Sequence, residues 1–270
     1  MNIFRIIEQL SEVDSDVLGR FDSRRAVFKT LGDTAKKGAL AAAPVFVASL
    51  FQKAYGQTTA PSVIDVLNYA LTLELLEEDF YTKMIAAGQV PTGAPAAAIA
   101  LIKKHESAHV TLLTNTVKAL NGTPVTGKKF DPAKFPADYT TQLAFAQALE
   151  DTGVRAYKGQ AGNLMGKTAG STNLLQVALQ IHSVEARHAA HIRTMRAQAP
   201  WIPAADSNLP APLGPVYTGA IPESNVTQSG VNLTSQLGAT YSANDAAASF
   251  DEILTMAEVL DASRAGGLVV

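Results

Sequence analysis

Between Ser62 and Gln198 apolar residues recur three and four positions apart in four separate segments, and every recurrence is broken near its middle by ionisable side chains. That period belongs to an α-helix turning one face toward a core. The first stripe reads Ile64, Leu67, Leu71, Glu74, Glu78, Tyr81 and Ile85, and the second Ile99, Ile102, Glu106, His109 and Leu113. The third reads Leu143, Ala146, Glu150, Gly153 and Tyr157, and the fourth Leu174, Ala178, Ile181, Glu185, His188, Ile192 and Met195. A buried carboxylate is costly unless it is paired or bound to a metal. Four interruptions at one level of a bundle therefore call for a shared positive charge, which two divalent cations would supply.

Turn signals divide the segments at about 62–87, 94–120, 140–165 and 171–198: Pro91-Thr92-Gly93, Asn121-Gly122-Thr123-Pro124, and the stretch from Gly166 to Gly170, with Pro200 after the last. Short links make the first two and the last two segments antiparallel hairpins. The link at 121–139 is longer and without clean periodicity. A helix of the second segment's length runs about 40 Å, and a connector of this length reaches roughly 60 Å when extended, enough to cross the bundle. The expected fold is therefore all-α, a ferritin-like antiparallel four-helix bundle over 60–200 with one long crossover. Residues 201–270 read as an extended strap rich in Pro, Ser, Asn and Gly followed by a terminal helix at 246–265, and residues 1–57 as a leader.

Spacing supports a metal site independently. Glu106-Ser-Ala-His109 and Glu185-Ala-Arg-His188 are both Glu-x-x-His, and three residues along a helix bring both side chains to one face. Glu74 and Glu150 are each followed seven residues later by a tyrosine, Tyr81 and Tyr157, so the halves of the bundle read as an imperfect repeat. One Glu from each of two helices plus Glu-x-x-His from each of the other two resembles the ferritin-like di-iron and di-manganese carboxylate proteins, among them rubrerythrins and bacterioferritins. The wording Leu67-Asn-Tyr-Ala-Leu-Thr-Leu-Glu74 and His105-Glu-Ser-Ala-His109 resembles the exported bacterial ferritin-like family related to desiccation-associated proteins. The resemblance covers about half the chain. It implies that Glu74, Glu106, His109, Glu150, Glu185 and His188 hold two Fe or Mn ions, with Glu106 or Glu185 among the bridging groups. The same fold hosts iron oxidation, peroxide reduction, catalase and oxygenase chemistry, and of these reaction with oxygen or peroxide is the expected one, with an electron donor that the sequence does not identify. Tyr81 and Tyr157 read as core residues that hydrogen-bond to the ligands, and His105, His182 and His191 as neighbours of the site or surface groups. Glu77 and Glu78 stay open, with one as a seventh carboxylate or both solvated.

Other readings compete. His105-Glu106-Ser107-Ala108-His109 also matches the zinc-peptidase pattern His-Glu-x-x-His, but that leaves Glu74, Glu150 and the second Glu-x-x-His without a role. A non-catalytic structural or stress-protective bundle, and iron storage, are the remaining alternatives for this fold. The chain contains no cysteine, so thiolate zinc sites and iron–sulfur centres are excluded and any metal must be held by oxygen and nitrogen. A formal charge of -2 gives no footprint for nucleic acid. Ser23-Arg24-Arg25-Ala26-Val27-Phe28-Lys29 resembles a twin-arginine motif, and an apolar run at 38–51 followed by Ala54-Tyr55-Gly56 suits a cleavable signal, so export to the periplasm is expected with no membrane span after processing. A homo-oligomer is compatible with this fold and not specified by one chain.

Overall fold

The computed structural model of the protein describes residues 61–204, 209–237 and 241–270. Four long helices carry the architecture: α1 (Val63–Ala86), α2 (Ala94–Ala119), α3 (Tyr139–Gln160) and α4 (Leu174–Met195). Their starts are set by side chains that take up the free N–H groups of a first turn. Ser62 accepts from the Asp65 amide while Asp65 reaches back to the Ser62 amide. Asp138 accepts from Thr141 N, and Asn173 from Gln176 N. Pro95 sits in the first turn of α2, where a missing N–H costs nothing. α1 packs most extensively on α2 and α3 on α4, giving two antiparallel hairpins joined by the crossover.

The crossover runs the length of α1. Asn68 near the start of that helix donates to Thr123 O (3.0 Å) and accepts from Val125 N (2.8 Å). Phe130 N donates to Asp79 Oδ2 (2.9 Å) near its end, and the Phe130 ring is buried against Phe80. Between Asn68 and Asp79 the helix rises about 16 Å, a distance that a few extended residues cover. The link between α3 and α4 differs from the expected one. α3 ends at Gln160, a 3-10 turn spans Ala161–Leu164, and β1 (Thr168–Ala169) pairs antiparallel with β2 (Thr172–Asn173) before α4 begins. Gly166 and Gly170 hold φ of 69° and 59°, which ends the helical path five residues earlier on one side and delays it three on the other.

Apolar side chains fill the bundle in two layers. One holds Val66, Leu67, Leu71, Leu113, Val117, Leu164, Leu174 and Ile181. The other holds Leu76, Phe80, Met84, Ile99, Ile102, Leu143, Leu149 and Ile192. On all four helices the ionisable residues of the stripes fall between these layers, at one level.

The C-terminal third lies along α3. Ile202, Leu209, Leu213, Val216 and Tyr217 pack on Ala144 and Ala148, so α3 is buried on nearly every face. This strap also supplies partners for charges that α3 turns outward. Arg155 pairs with Glu223 (2.6 Å) and donates to the carbonyls of Val216, Thr218, Ile221, Glu252 and Ile253. Asp151 pairs with Arg193 (2.6 Å) and accepts from the Tyr217 hydroxyl (2.6 Å). The continuous terminal helix expected at 246–265 is not formed. After α5 (Leu233–Leu237), that region holds only the end of α6 (Ala243–Ala247), the short α7 (Met256–Val259) and the start of a 3-10 turn at Ala265–Leu268. The reason lies in α3: Arg155 draws the carbonyls of Glu252 and Ile253, and Leu254 N donates to Arg155 O (3.2 Å), so these backbone groups are committed elsewhere. Gly159 permits this approach, since a Cβ there would collide with the Leu254 carbonyl. The chain then closes with Phe130 bridged to Val269 beside the crossover.

The twin-arginine-like motif, the apolar run and the small-residue site after it lie outside the described residues. Among the described residues no helix is long and apolar enough to cross a membrane.

Candidate metal centre

The six side chains singled out by spacing meet at the polar level of the bundle. Glu74, Glu106, Glu150 and Glu185 are fully buried, and His109 and His188 nearly so. They form two overlapping groups, Glu74, Glu106, His109 and Glu185, and Glu106, Glu150, Glu185 and His188, with the ligand-capable atoms of each group within 4.8 Å of one another. Glu106 and Glu185 belong to both. His109 Nδ1 lies 3.1 Å from Glu74 Oε2, 3.0 Å from Glu106 Oε2 and 3.2 Å from Glu185 Oε1. His188 Nδ1 lies 2.9 Å from Glu106 Oε1 and 3.2 Å from Glu150 Oε2.

The two halves mirror one another. Tyr81 on α1 donates to Glu150 on α3, and Tyr157 on α3 donates to Glu74 on α1. Each outer glutamate is thus held through one oxygen by the tyrosine of the opposite helix, and the other oxygen is left for the centre. Several atoms here have no hydrogen-bond partner although they are buried: Glu106 Oε1, Glu150 Oε2, both oxygens of Glu185 and His188 Nδ1. His188 Nδ1 and Glu106 Oε1 are close without being aligned to share a proton. Converging acceptors that satisfy no donor are what a cation requires, and unsatisfied buried groups otherwise carry a penalty of about 1–3 kcal/mol each.

Electrostatics point the same way. Burial pushes the Glu185 carboxyl well above the usual range, and the charge of Glu74 pushes it further. Burial and the Glu185 charge raise Glu106 to about 7, against the pull of His109 and His188. Burial alone would lower both histidines, but contacts with Glu106, Glu185 and Glu74 carry His109 up to about 12, and Glu150 with Glu106 carries His188 up to about 11. A centre of this composition without cations must hold protons, and cations would displace them.

A family model for a ferritin-like domain matches residues 62–198, just over half of the chain. The chain belongs to the ferritin-like domain family. No curated protein and no solved structure gave a match. In this ferritin-like bundle the buried Glu/His cluster suits the binding of metal ions, because carboxylate and imidazole ligand atoms converge at one buried level.

The ferritin-like core also corrects the sequence reading of α1. Glu78 and Ile85 were expected on the inward stripe. Instead Glu78 faces α2, accepting from Ser107 Oγ (2.6 Å) near Lys103, and Ile85 is exposed. Glu77 takes the inward place, only 2 % exposed. α1 must face both α2 and α3, so its buried arc is centred on Ala70, Glu74, Glu77, Tyr81 and Met84, a spacing the sequence offered equally well. Burial and the charges of Glu185, Glu150, Glu74 and Glu106 hold Glu77 well above the usual carboxylate range.

His105 contacts His188 Nε2 through its Nδ1 (2.9 Å) on a half-buried face, so the second nitrogen of His188 is occupied and its first is directed to the carboxylates. His105 belongs to neither ligand group, and Glu106 lies inside both, which is the reverse of a His-Glu-x-x-His zinc site. His182 Nδ1 contacts Val154 O (3.0 Å), and His191 is exposed.

Proposed function

We propose that this protein holds two Fe or Mn ions on Glu74, Glu106, His109, Glu150, Glu185 and His188, and that it is a redox protein that reacts with oxygen or peroxide in an exported compartment. The observation that carries the reading is the pair of overlapping four-residue groups sharing Glu106 and Glu185. When bound, two such ions would supply redox chemistry toward oxygen or peroxide. The protein's own contribution is positional. Glu106 and Glu185 would belong to the surroundings of both ions, and Glu74 and Glu150 each hold one oxygen on a tyrosine and leave the other for the centre. Tyr81 and Tyr157 keep their protons, because burial and the neighbouring carboxylates push both hydroxyls well above their ordinary range. They serve as fixed donors. The apolar layers on either side keep bulk water from the charged level, which strengthens every interaction within it. Disproportionation of peroxide would need no further electron source, whereas reduction of oxygen or peroxide would draw on a donor other than a cysteine-held cluster, since the chain has no cysteine.

Metal content by mass spectrometry on protein purified without chelator tests this, followed by peroxide or oxygen consumption after anaerobic ferrous or manganous loading. About two ions per chain, lost in a Glu106→Ala/Glu185→Ala double variant, and consumption that requires them, are the expected results. Near-zero metal after anaerobic loading would leave a structural bundle, and metal uptake without consumption would remove the redox reading alone.

A further inference from the structure

We propose that Glu77 is a seventh carboxylate ligand and that it makes the two cation positions unequal. The inference rests on the di-metal reading above and concerns which residues complete it.

The evidence begins with symmetry. α1 and α3 are paired by Glu74 with Glu150 and by Tyr81 with Tyr157, each tyrosine reaching across to the other helix's glutamate. Under that pairing the partner of Glu77, one turn past Glu74, is Gly153, one turn past Glu150. Six ligand-capable residues obey the approximate twofold, and this pair breaks it: a carboxylate stands on one side and no side chain on the other.

The glycine accommodates the carboxylate. A Cβ built at Gly153 would lie 3.3 Å from Glu185 Oε2 and 3.5 Å from Glu77 Oε1, so both oxygens, from different helices, lie against the bare face of this glycine, although Glu77 stands outside the two ligand-capable groups. Glu185 is one of the two residues common to both groups, and its Oε2 has no hydrogen-bond partner. Glu77 itself is 2 % exposed and forms no hydrogen bond or ion pair with any described residue. Every other buried carboxylate at this level has a tyrosine or histidine against it. A carboxylate so buried and so unpaired is sustained by a cation or by a proton, and its position beside the shared Glu185 directs it to the cation.

Stepwise Co(II) titration of chelator-stripped protein, followed by visible absorption under nitrogen, tests the assignment in wild type, Glu77→Gln and Glu77→Asp. Wild type is expected to bind in two resolvable steps. In Glu77→Gln one step should weaken by at least about tenfold with a changed absorption band, while the other stays within about threefold. Loss of affinity in both steps alike would mean that Glu77 acts only as a charge, and no change in either would mean that it is protonated and inert. Either result overturns the proposal. Should Glu77→Gln lose its helical circular dichroism, Glu77→Asp decides, because it keeps the charge and shortens the reach: weakening of one step supports ligation, and two wild-type steps refute it. Wild type that binds no Co(II) would sink the di-metal reading itself, an outcome distinct from any effect confined to the variants.

Discussion

Glu185→Gln should make the metal-free protein more stable and at the same time remove its metal site. Glu185 is fully buried, both of its oxygens lack hydrogen-bond partners, and burial together with the charges of Glu74 and Glu150 opposes its ionisation. Glutamine keeps the shape and removes the charge. A buried ion costs several kcal/mol, but part of that cost is already met by the His109 contact at 3.2 Å. A net gain of about 2 kcal/mol is the working estimate, or about 4–8 °C in Tm for a bundle of this size. Since Glu185 belongs to both groups, metal binding at either should be affected. Glu150→Gln, which touches only one group, should spare the other. The assay is thermal unfolding by circular dichroism with chelator present, paired with metal analysis of the loaded proteins. A Glu185→Gln protein that melts lower than wild type without metal, or that retains both ions at wild-type affinity, would refute the reasoning.

Three further outcomes follow from the same geometry. Stability of the metal-free protein should fall as pH rises: Glu106, raised to about 7, contributes stability that is full below its unfolded value near 4.5 and is lost as pH passes its folded value, while His109 and His188, raised to about 12 and 11, add stability that is full below about 6.5 and is lost only at strongly alkaline pH. Urea unfolding with chelator at pH 5 and pH 8 should show the lower midpoint at pH 8, and an equal or higher one would contradict these shifts. Tyr81→Phe and Tyr157→Phe each remove the donor to a buried glutamate, so each should cost about 1.5–3 kcal/mol without metal and free the outer glutamate on its own side, read as faster metal loss to chelator from one position. Gly159→Ala forces a Cβ against the Leu254 carbonyl, and limited proteolysis should cut the segment after Pro200 faster than in wild type, with a stability loss of about 1–3 kcal/mol.

Local rules in the sequence determined the four helices and the crossover, because a period of three to four and a turn signal each act within a turn or two of chain, although α3 ends five residues before and α4 begins three residues after the expected bounds. They also marked the six converging residues, since a carboxylate inside an apolar stripe is conspicuous wherever the stripe is buried. Two matters were left to tertiary structure. Glu77 and Glu78 both sit within one turn of Glu74, and only the packing of α1 against α2 and α3 together decided which turns inward. The end of the chain has the composition of a helix at 246–265, yet Arg155 and Gly159 on α3 take its backbone groups and hold it extended. Helical propensity is worth a few tenths of a kcal/mol per residue, whereas a buried guanidinium without its carbonyl partners would cost several, so the distant residue prevails over the local preference.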